Sequence, residues 1–572
     1  MSALKTDVVI VGVGAAGGIL AAELAASGLK VIGLERGPRL KTADFMSHDE
    51  LRYFQRQDTR PDTKTQPVTW RPNKDARSVR MDGLNYGNQA GGGTVHYGGI
   101  SWRFHEDDFR VRSSTTERYG AAAIPQDSAV ADWPLSYADL APFYDRVEND
   151  LGVSGKAGNI MGRKIDGGNV FEAPRSGEFP NPALVMTHSD TLFADGTRKL
   201  GYHPFPTARA ILSQPYKDRP GCTYCGFCQT FGCHVGAKSS ILVTKLPEAD
   251  KTGNFKLITG AMVYRVDSDD KRATGVSYYG ADGSENSIEA DIVIVTPYIY
   301  DATRLLLLSK TDKFPNGLAN SSGLVGKGLM AQPGARAFAV FDDQFTNLYM
   351  GPSNQKHTID DFNADNFDHA GLGFIRGAQI SVSCAALDAG PIGVATNMTP
   401  PPGTPSWGAA YRDFLSQYYA RYVAVTSQVE QLPYHDQTID LDPNIRDAWG
   451  LPAPRLTYDW RRPDELKRVA FMQNKVQEIG RAMGASKVWV GGTGNGSPGG
   501  HPSGGTRMGN NPTDSVVNKY GQTWDLPNLF VVGSSTYPTI SSYNTTTTIQ
   551  ALAFMTADAL VNKYKKSPGQ LL

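Results

Sequence analysis

VVIVGVGAAGG, residues 8–18, is the stretch that decides the fold. Asp7 to Val11 is an apolar, β-branched run, which predicts a parallel strand buried on both faces. Gly12-Val13-Gly14-Ala15-Ala16-Gly17 follows, and an Ala-rich stretch to Ser27 then reads as a helix stopped by Gly28. Lys30 to Leu34 (KVIGL) is a second strand, ending at Glu35. A strand, a G-x-G-x-x-G turn, a helix and a second strand closed by an acid make a dinucleotide-binding unit. Gly12, Gly14 and Gly17 allow close backbone approach, the helix N-terminus holds a pyrophosphate, and Glu35 accepts ribose hydroxyls. The motif alone does not separate FAD from NAD.

A chain of 572 residues is too long for one ordinary core, so two or more domains are expected. Lys+Arg and Asp+Glu both total 57, and a net charge of zero argues against nucleic acid or an anionic membrane as the main partner. The 61 glycines exceed the usual share of about 7%, which implies tight turns and close backbone approaches. No apolar run reaches the roughly 18 residues that span a bilayer. The N-terminus enters a strand at once and carries no basic n-region, h-region and cleavage site. By itself the chain reads as cytoplasmic.

Residues 256–296 read as several short strands ending in the buried run DIVIVT, and 302–309 as a helix. Residues 156–184, rich in Gly, Pro and Asn, read as a loop or lid. NQAGGGTVHYGGISWRF, 88–104, holds three consecutive glycines, Gly91, Gly92 and Gly93, that let backbone lie flat against a ligand. His96, Tyr97 and Trp102 supply rings beside them; a glycine hinge next to a core histidine is the alternative. His501, in GHPSGGTRMG, and Asn544, before four threonines, each have an ordinary reading: a loop histidine and a helix cap.

Together the motifs resemble the glucose-methanol-choline (GMC) family of flavin oxidoreductases. They are VVIVGVGAAGG with LERG, GGGTVHYGG, DIVIVTPYIYDATRLLLLS, HPSGGTRMG, and NLFVVGSS with PTISSYNTTTTIQALA, and they run from residue 7 to about 560. LERGPRL, SWRFHEDDF, SGKAGN and CTYCGFCQTFGC resemble most the gluconate 2-dehydrogenase-like flavoproteins and related sugar and polyol dehydrogenases. The resemblance implies an α/β and α+β fold: a Rossmann-like FAD-binding domain plus a substrate domain with an antiparallel sheet. It places FAD-binding segments at 1–155, 216–330 and 491–572, a lid insertion at 156–215 and the substrate domain at 331–490. It adds Arg36, Thr94, His96, Val263, Gly533 and Thr545 to the glycines and Glu35 as FAD contacts. His96 matches the position that carries a covalent flavin link in some members.

The resemblance also makes His501 and Asn544 the catalytic pair. Oxidising a secondary alcohol moves a hydride from carbon to flavin N5 while the hydroxyl loses its proton. A neutral imidazole is a suitable base near physiological pH, and Asn544 can orient the hydroxyl without adding charge. The expected reaction is the dehydrogenation of a sugar acid, sugar or polyol of gluconate type. The alternatives are a sugar or glycoside oxidase using O₂, a glycoside 3-dehydrogenase, and a flavoprotein scaffold without turnover. Arg336, Tyr349, His357, His369, Arg376 and Tyr434 are polar candidates for the substrate pocket.

Four of the five cysteines, Cys222, Cys225, Cys228 and Cys233, fall in one short run. Thiolates are soft ligands, and so close a group reads as a loop wrapping an iron–sulfur cluster. Structural zinc, two disulfides and four idle thiols compete with that reading. The fifth, Cys384, reads as a core residue. In related sugar dehydrogenases a comparable group holds a three-iron cluster that feeds a cytochrome c. The resemblance therefore implies a small subunit and a cytochrome c subunit as partners. It also implies a periplasmic location reached on the partner's export signal, with membrane contact through partners alone.

Overall fold

Strands β1 (Leu4–Val11) and β2 (Val31–Glu35) run parallel, with Val8 beside Val31 and Val11 beside Leu34. Helix α1 (Gly17–Ala26) joins them. The computed structural model describes residues 4–46, 49–346, 350–352, 356–383, 390–492 and 496–571. Cys384 and Tyr349 lie outside the described residues.

Residues 255–295 supply β3 (Phe255–Thr259), β4 (Met262–Ser268), β5 (Ala273–Tyr279) and β6 (Glu285–Val295). The strand order is β3-β2-β1-β6-β5-β4. β3, β2, β1 and β6 are mutually parallel, whereas β4, β5 and β6 form an antiparallel meander. Val8, Val9 and Ile10 are fully buried, as the unbroken apolar run requires of a strand covered on both sides. The β1–α1 turn is tight. Gly12 sits at φ +82°, and a Cβ on Gly17 would stand 2.1 Å from the Gly12 carbonyl oxygen and 2.6 Å from Thr296 Oγ1.

The second layer is a sheet of β8 (Gly334–Val340), β9 (His357–Ile359), β10 (Ala378–Ser383), β11 (Tyr422–Val429) and β12 (Lys487–Val490). All its pairs are antiparallel, in the order β12-β8-β11-β10-β9, with Phe205–Pro206 on the far edge. Just before β8, β7 (Met330–Gln332) pairs with β13 (Gly500–Ser503), and β14 (Leu529–Val531) returns to lie parallel to β6. Helices α2 (Tyr137–Leu151), α3 (Ile299–Leu308), α4 (Pro463–Ala482) and α5 (Thr546–Ala559) complete the frame. α4 lies on the second sheet over the small side chains of Ala335, Ala337 and Ala339, while α1 and α2 pack on α5. Among the described residues, no helix is long and apolar enough to cross a membrane.

Two sequence expectations change in detail. The stretch expected to be a loop at 156–184 carries short strand pairs, Ser154–Gly155 with Asn181–Pro182 and Asn159–Ile160 with Arg163–Lys164. Phe205–Pro206, expected within a lid, extends the second sheet because β9 leaves an edge open to it.

Gly17→Ala tests the turn. Overpacking against backbone costs about 1–3 kcal/mol, so a lower melting temperature and a lower flavin-to-protein absorbance ratio are expected. Wild-type values for both would show that the α1–β1 contact yields freely.

Candidate active site

A cavity of about 610 Å³ runs from the β1–α1 turn to the β7–β13 pair. Gly12, Gly14, Glu35, Arg36, Gly92, Gly93, Thr94, His96, Val263, Gly533 and Thr545 line it, as do His501 and Asn544. Gly17 and Gly91, expected as contacts, stand behind the wall. Gly17 packs α1 against the β1 turn, and Gly91 donates its N–H to the Val13 carbonyl at 2.8 Å.

The nucleotide end fits FAD. Glu35 ends β2 with its carboxylate held by the amides of Val13 and Gly37, both at 3.0 Å. Burial raises its pKa, against those two amides and Arg36. Arg36 is held by Asp301 at 3.0 Å. A Cβ on Gly14 would meet protein no nearer than 3.7 Å, and one on Gly93 nothing within 4 Å, so both glycines leave room beside the cavity. Thr94 instead braces the glycine turn, donating to the Gly91 carbonyl at 2.5 Å. His96 is 5% exposed, and its Nδ1 has no hydrogen-bond partner. Burial, then Arg60 and Lys238, pushes its pKa down to about 3. A neutral, unpartnered ring nitrogen in a cofactor-sized cavity is what a flavin contact requires.

At the other end, His501 and Asn544 meet. Asn544 Nδ2 lies 3.1 Å from His501 Nε2, and His501 Nδ1 lies 2.7 Å from Gln332 Oε1. Gln332 fixes the tautomer. Its Nε2 donates to the Ser541 carbonyl at 2.5 Å and the Tyr543 carbonyl at 2.9 Å, so its oxygen must face the imidazole. His501 Nδ1 then carries the proton, and the Nε2 lone pair accepts from Asn544 Nδ2 at the cavity wall. Burial pushes His501 from its ordinary 6.5 to about 4, which keeps the ring neutral at physiological pH. Its backbone φ of +54° is in the left-handed region, a strain that functional sites tend to hold. The buried Oδ1 of Asn544 has no hydrogen-bond partner. Nothing in the MAQPGAR sequence marks Gln332; only the β7–β13 pairing brings it to His501.

Of the described substrate-pocket candidates, only Arg336 lines this cavity. Arg376 is fully buried between Asp108 and Glu430, His369 bonds Tyr119 and the Arg376 carbonyl, and Tyr434 donates to Asp464. His357 is buried 3.9 Å from Asp190. Each is buried and faces other protein groups, away from the cavity wall.

Cys222, Cys225, Cys228 and Cys233 lie on one loop as free thiols. Burial pushes Cys228 up to about 12 and Cys222 to about 11, with a smaller push from neighbouring cysteines. Among the described residues, however, no three His, Cys, Asp or Glu side chains gather into a group able to hold a metal. The expected metal-ligand set is therefore not assembled here, and zinc and disulfides gain no support either. The loop does touch the flavin side: Thr230 N–H donates to the His96 carbonyl at 2.7 Å, and Gln229 lines the cavity.

The fold and site define a flavin-dependent oxidoreductase. Residues 189–334 and 433–553 match the two GMC oxidoreductase domains. The chain is 35% identical, over 99% of its length and 95% of the relative's, to the gluconate 2-dehydrogenase flavoprotein of Pantoea cypripedii. It is 29% identical to the fructose dehydrogenase large subunit of Gluconobacter japonicus, over 98% and 99% of the two chains. The crystal structure of a pyridoxine 4-oxidase superposes with a TM-score of 0.62 at 16% identity, over 96% of this chain and 98% of the other. The chain belongs to the GMC oxidoreductase family and is an FAD-dependent oxidoreductase of CH–OH donors.

The His501–Gln332 bond yields a pH prediction. With His501 near 4, flavin reduction by substrate is expected to be level through neutral pH and to fall only as pH approaches that value and the base is protonated. Gln332→Glu puts a carboxylate on Nδ1–H, which favours imidazolium, so the acid limb should move up by about 1–3 pH units. Stopped-flow reduction of the variant across pH measures this, and an unmoved limb would show that Gln332 does not govern the base.

Proposed function

We propose that the chain is a dehydrogenase for a secondary alcohol of a polyhydroxylated, gluconate-type substrate. The observation that carries this is the His501–Asn544 pair, held neutral and oriented in the flavin cavity. Bound FAD supplies an acceptor for the hydride leaving the carbon. His501 Nε2 takes the hydroxyl proton, and the Gln332 oxygen stabilises the resulting charge through Nδ1–H. Asn544 Nδ2 donates to the hydroxyl oxygen, which leaves the hydroxyl proton for Nε2.

His501→Ala tests this reading. The variant is expected to keep its FAD and to lose about 10²–10⁴-fold in the anaerobic rate of flavin reduction by substrate. Flavin bleached at the wild-type rate would refute the role of His501.

For the exit of electrons we infer a protein acceptor rather than O₂. Support comes from the relative named as a large subunit and from the cysteine loop bonded to the His96 turn. An iron–sulfur cluster of three-iron type is the group proposed on that loop, with a small subunit and a cytochrome c as partners in a periplasmic complex. The thiols as they stand do not converge on one point, and no step is assigned to such a cluster. Acid-labile sulfide and iron in amounts comparable to flavin in anaerobically purified protein would support it. Their absence, with stoichiometric peroxide formed on turnover, would favour the oxidase.

A further inference from the structure

The loop that carries Asn544 is gripped from the second layer. Residues 360–363 follow β9 in a tight turn, closed by the Asn363 N–H on the Asp360 carbonyl at 3.0 Å. Asp360 and Asn363 are both fully buried. Asp360 Oδ2 accepts the Tyr543 hydroxyl, and Asn363 Oδ1 accepts the Ser542 hydroxyl at 2.5 Å. Asn169 Nδ2 donates to Asp360 Oδ2 at 2.5 Å and Asn363 Nδ2 to Asp360 Oδ1 at 3.2 Å, which holds the carboxylate in place. With its proton spent on Asp360, the Tyr543 oxygen is left to accept from His105 Nε2, 2.9 Å away. The Tyr543 ring stacks on Trp102 at 4.8 Å and on His105 at 5.0 Å. The second sheet adds a further bond from the polar face that Thr426 and Gln428 turn to the cavity: Gln428 Nε2 donates to the Ser542 carbonyl at 2.8 Å.

These grips bear on the base through one carbonyl. Tyr543 is anchored at its hydroxyl by Asp360 and offers its backbone oxygen to Gln332 Nε2 at 2.9 Å. The Ser541 carbonyl takes the other N–H of the same amide at 2.5 Å. While both carbonyls stay in place, an inverted Gln332 would press its oxygen against two oxygens, with no donor between them. Displacing the Tyr543 carbonyl removes one of the two. In the inverted state the Gln332 N–H groups face His501, Nδ1 becomes the acceptor, and the proton moves to Nε2. An imidazole in that tautomer cannot take a substrate proton at Nε2. Neither Tyr543 nor Asp360 lines the flavin cavity, so any effect they have on the reaction passes through other groups.

We propose that Asp360 and Tyr543 are positioning residues for the reaction: their hydrogen bond holds the Tyr543 carbonyl on Gln332 and so keeps His501 in the tautomer that can accept a proton. This rests on the reading of His501 as the base. Tyr543→Phe keeps the stacked ring and removes the hydroxyl. In the holoenzyme it should lower the limiting rate of anaerobic flavin reduction by gluconate about 10- to 10²-fold and leave the half-saturating gluconate concentration within about twofold. Asp360→Asn, which still offers an oxygen to the tyrosine proton, should keep most of the wild-type rate. Asp360→Leu should fall as far as Tyr543→Phe. Nitrogen NMR of histidine-labelled protein, with His501→Ala identifying the signal, should show His501 protonated at Nδ1 in the wild type and a population protonated at Nε2 in Tyr543→Phe.

A lower melting temperature with an unchanged rate would overturn the proposal, since Tyr543 would then serve the fold alone. So would a lower rate with His501 still protonated only at Nδ1, or a wild-type His501 protonated at Nε2. The nitrogen signal needs no turnover. If His501→Ala reduces flavin at the wild-type rate, or gluconate bleaches no flavin, the base or the substrate reading falls, and the tautomer still decides the role of Tyr543.

Discussion

One buried amide governs the reacting end of this protein. Gln332 can turn only one way, because two backbone carbonyls of the 541–544 loop take both of its N–H groups. Its oxygen is thereby committed to His501 Nδ1, and that commitment leaves the Nε2 lone pair facing Asn544 and the cavity. Three distant segments, β7, β13 and the loop before α5, are locked by a single side chain. The base is thus set by geometry before any substrate arrives, and the site need not rely on a nearby carboxylate to orient the imidazole.

Behind that loop the two layers are joined by buried charge. Arg376 of the second layer reaches Asp108, which belongs to the segment before α2, and also Glu430 at 2.8 Å. Tyr543, next to Asn544, bonds Asp360 and lies 2.9 Å from His105 Nε2, while its ring stacks on Trp102 at 4.8 Å. Burial disfavours the charged form of His105, but Asp360 and Asp108 together raise its pKa overall. Breaking one member of such a buried pair costs about 3–5 kcal/mol, because the other is left uncompensated. These contacts fix where the second sheet's polar face stands over the flavin cavity.

The cysteine loop is built into the same frame. Lys238, 2% exposed, spends its three donors on the carbonyls of Tyr97, Cys228 and Phe231, and so ties the loop to the turn that carries His96. The loop's position relative to the flavin turn is therefore fixed by the protein's own bonds. That holds whatever group the thiols serve.

Much of this was legible in the sequence, for a physical reason. Strand alternation, glycine turns and helix punctuation are local, so β1, α1, β2 and the strands of 255–295 could be read from neighbours along the chain. The nucleotide contacts sit inside that local motif, and Glu35 and Gly12 were found there. His501 and Asn544 could be named because each lies in a motif of the family. Their hydrogen bond, the tautomer and the depressed pKa could not, since they depend on Gln332 and on burial by residues far along the chain. The same limit explains Arg336 and Arg376. Both are arginines in β-rich stretches, and sequence treats them alike. The tertiary structure seals Arg376, in the turn before β10, between two carboxylates supplied by distant segments, and strand register sets Arg336 in the wall of the cavity; no short window of sequence contains either.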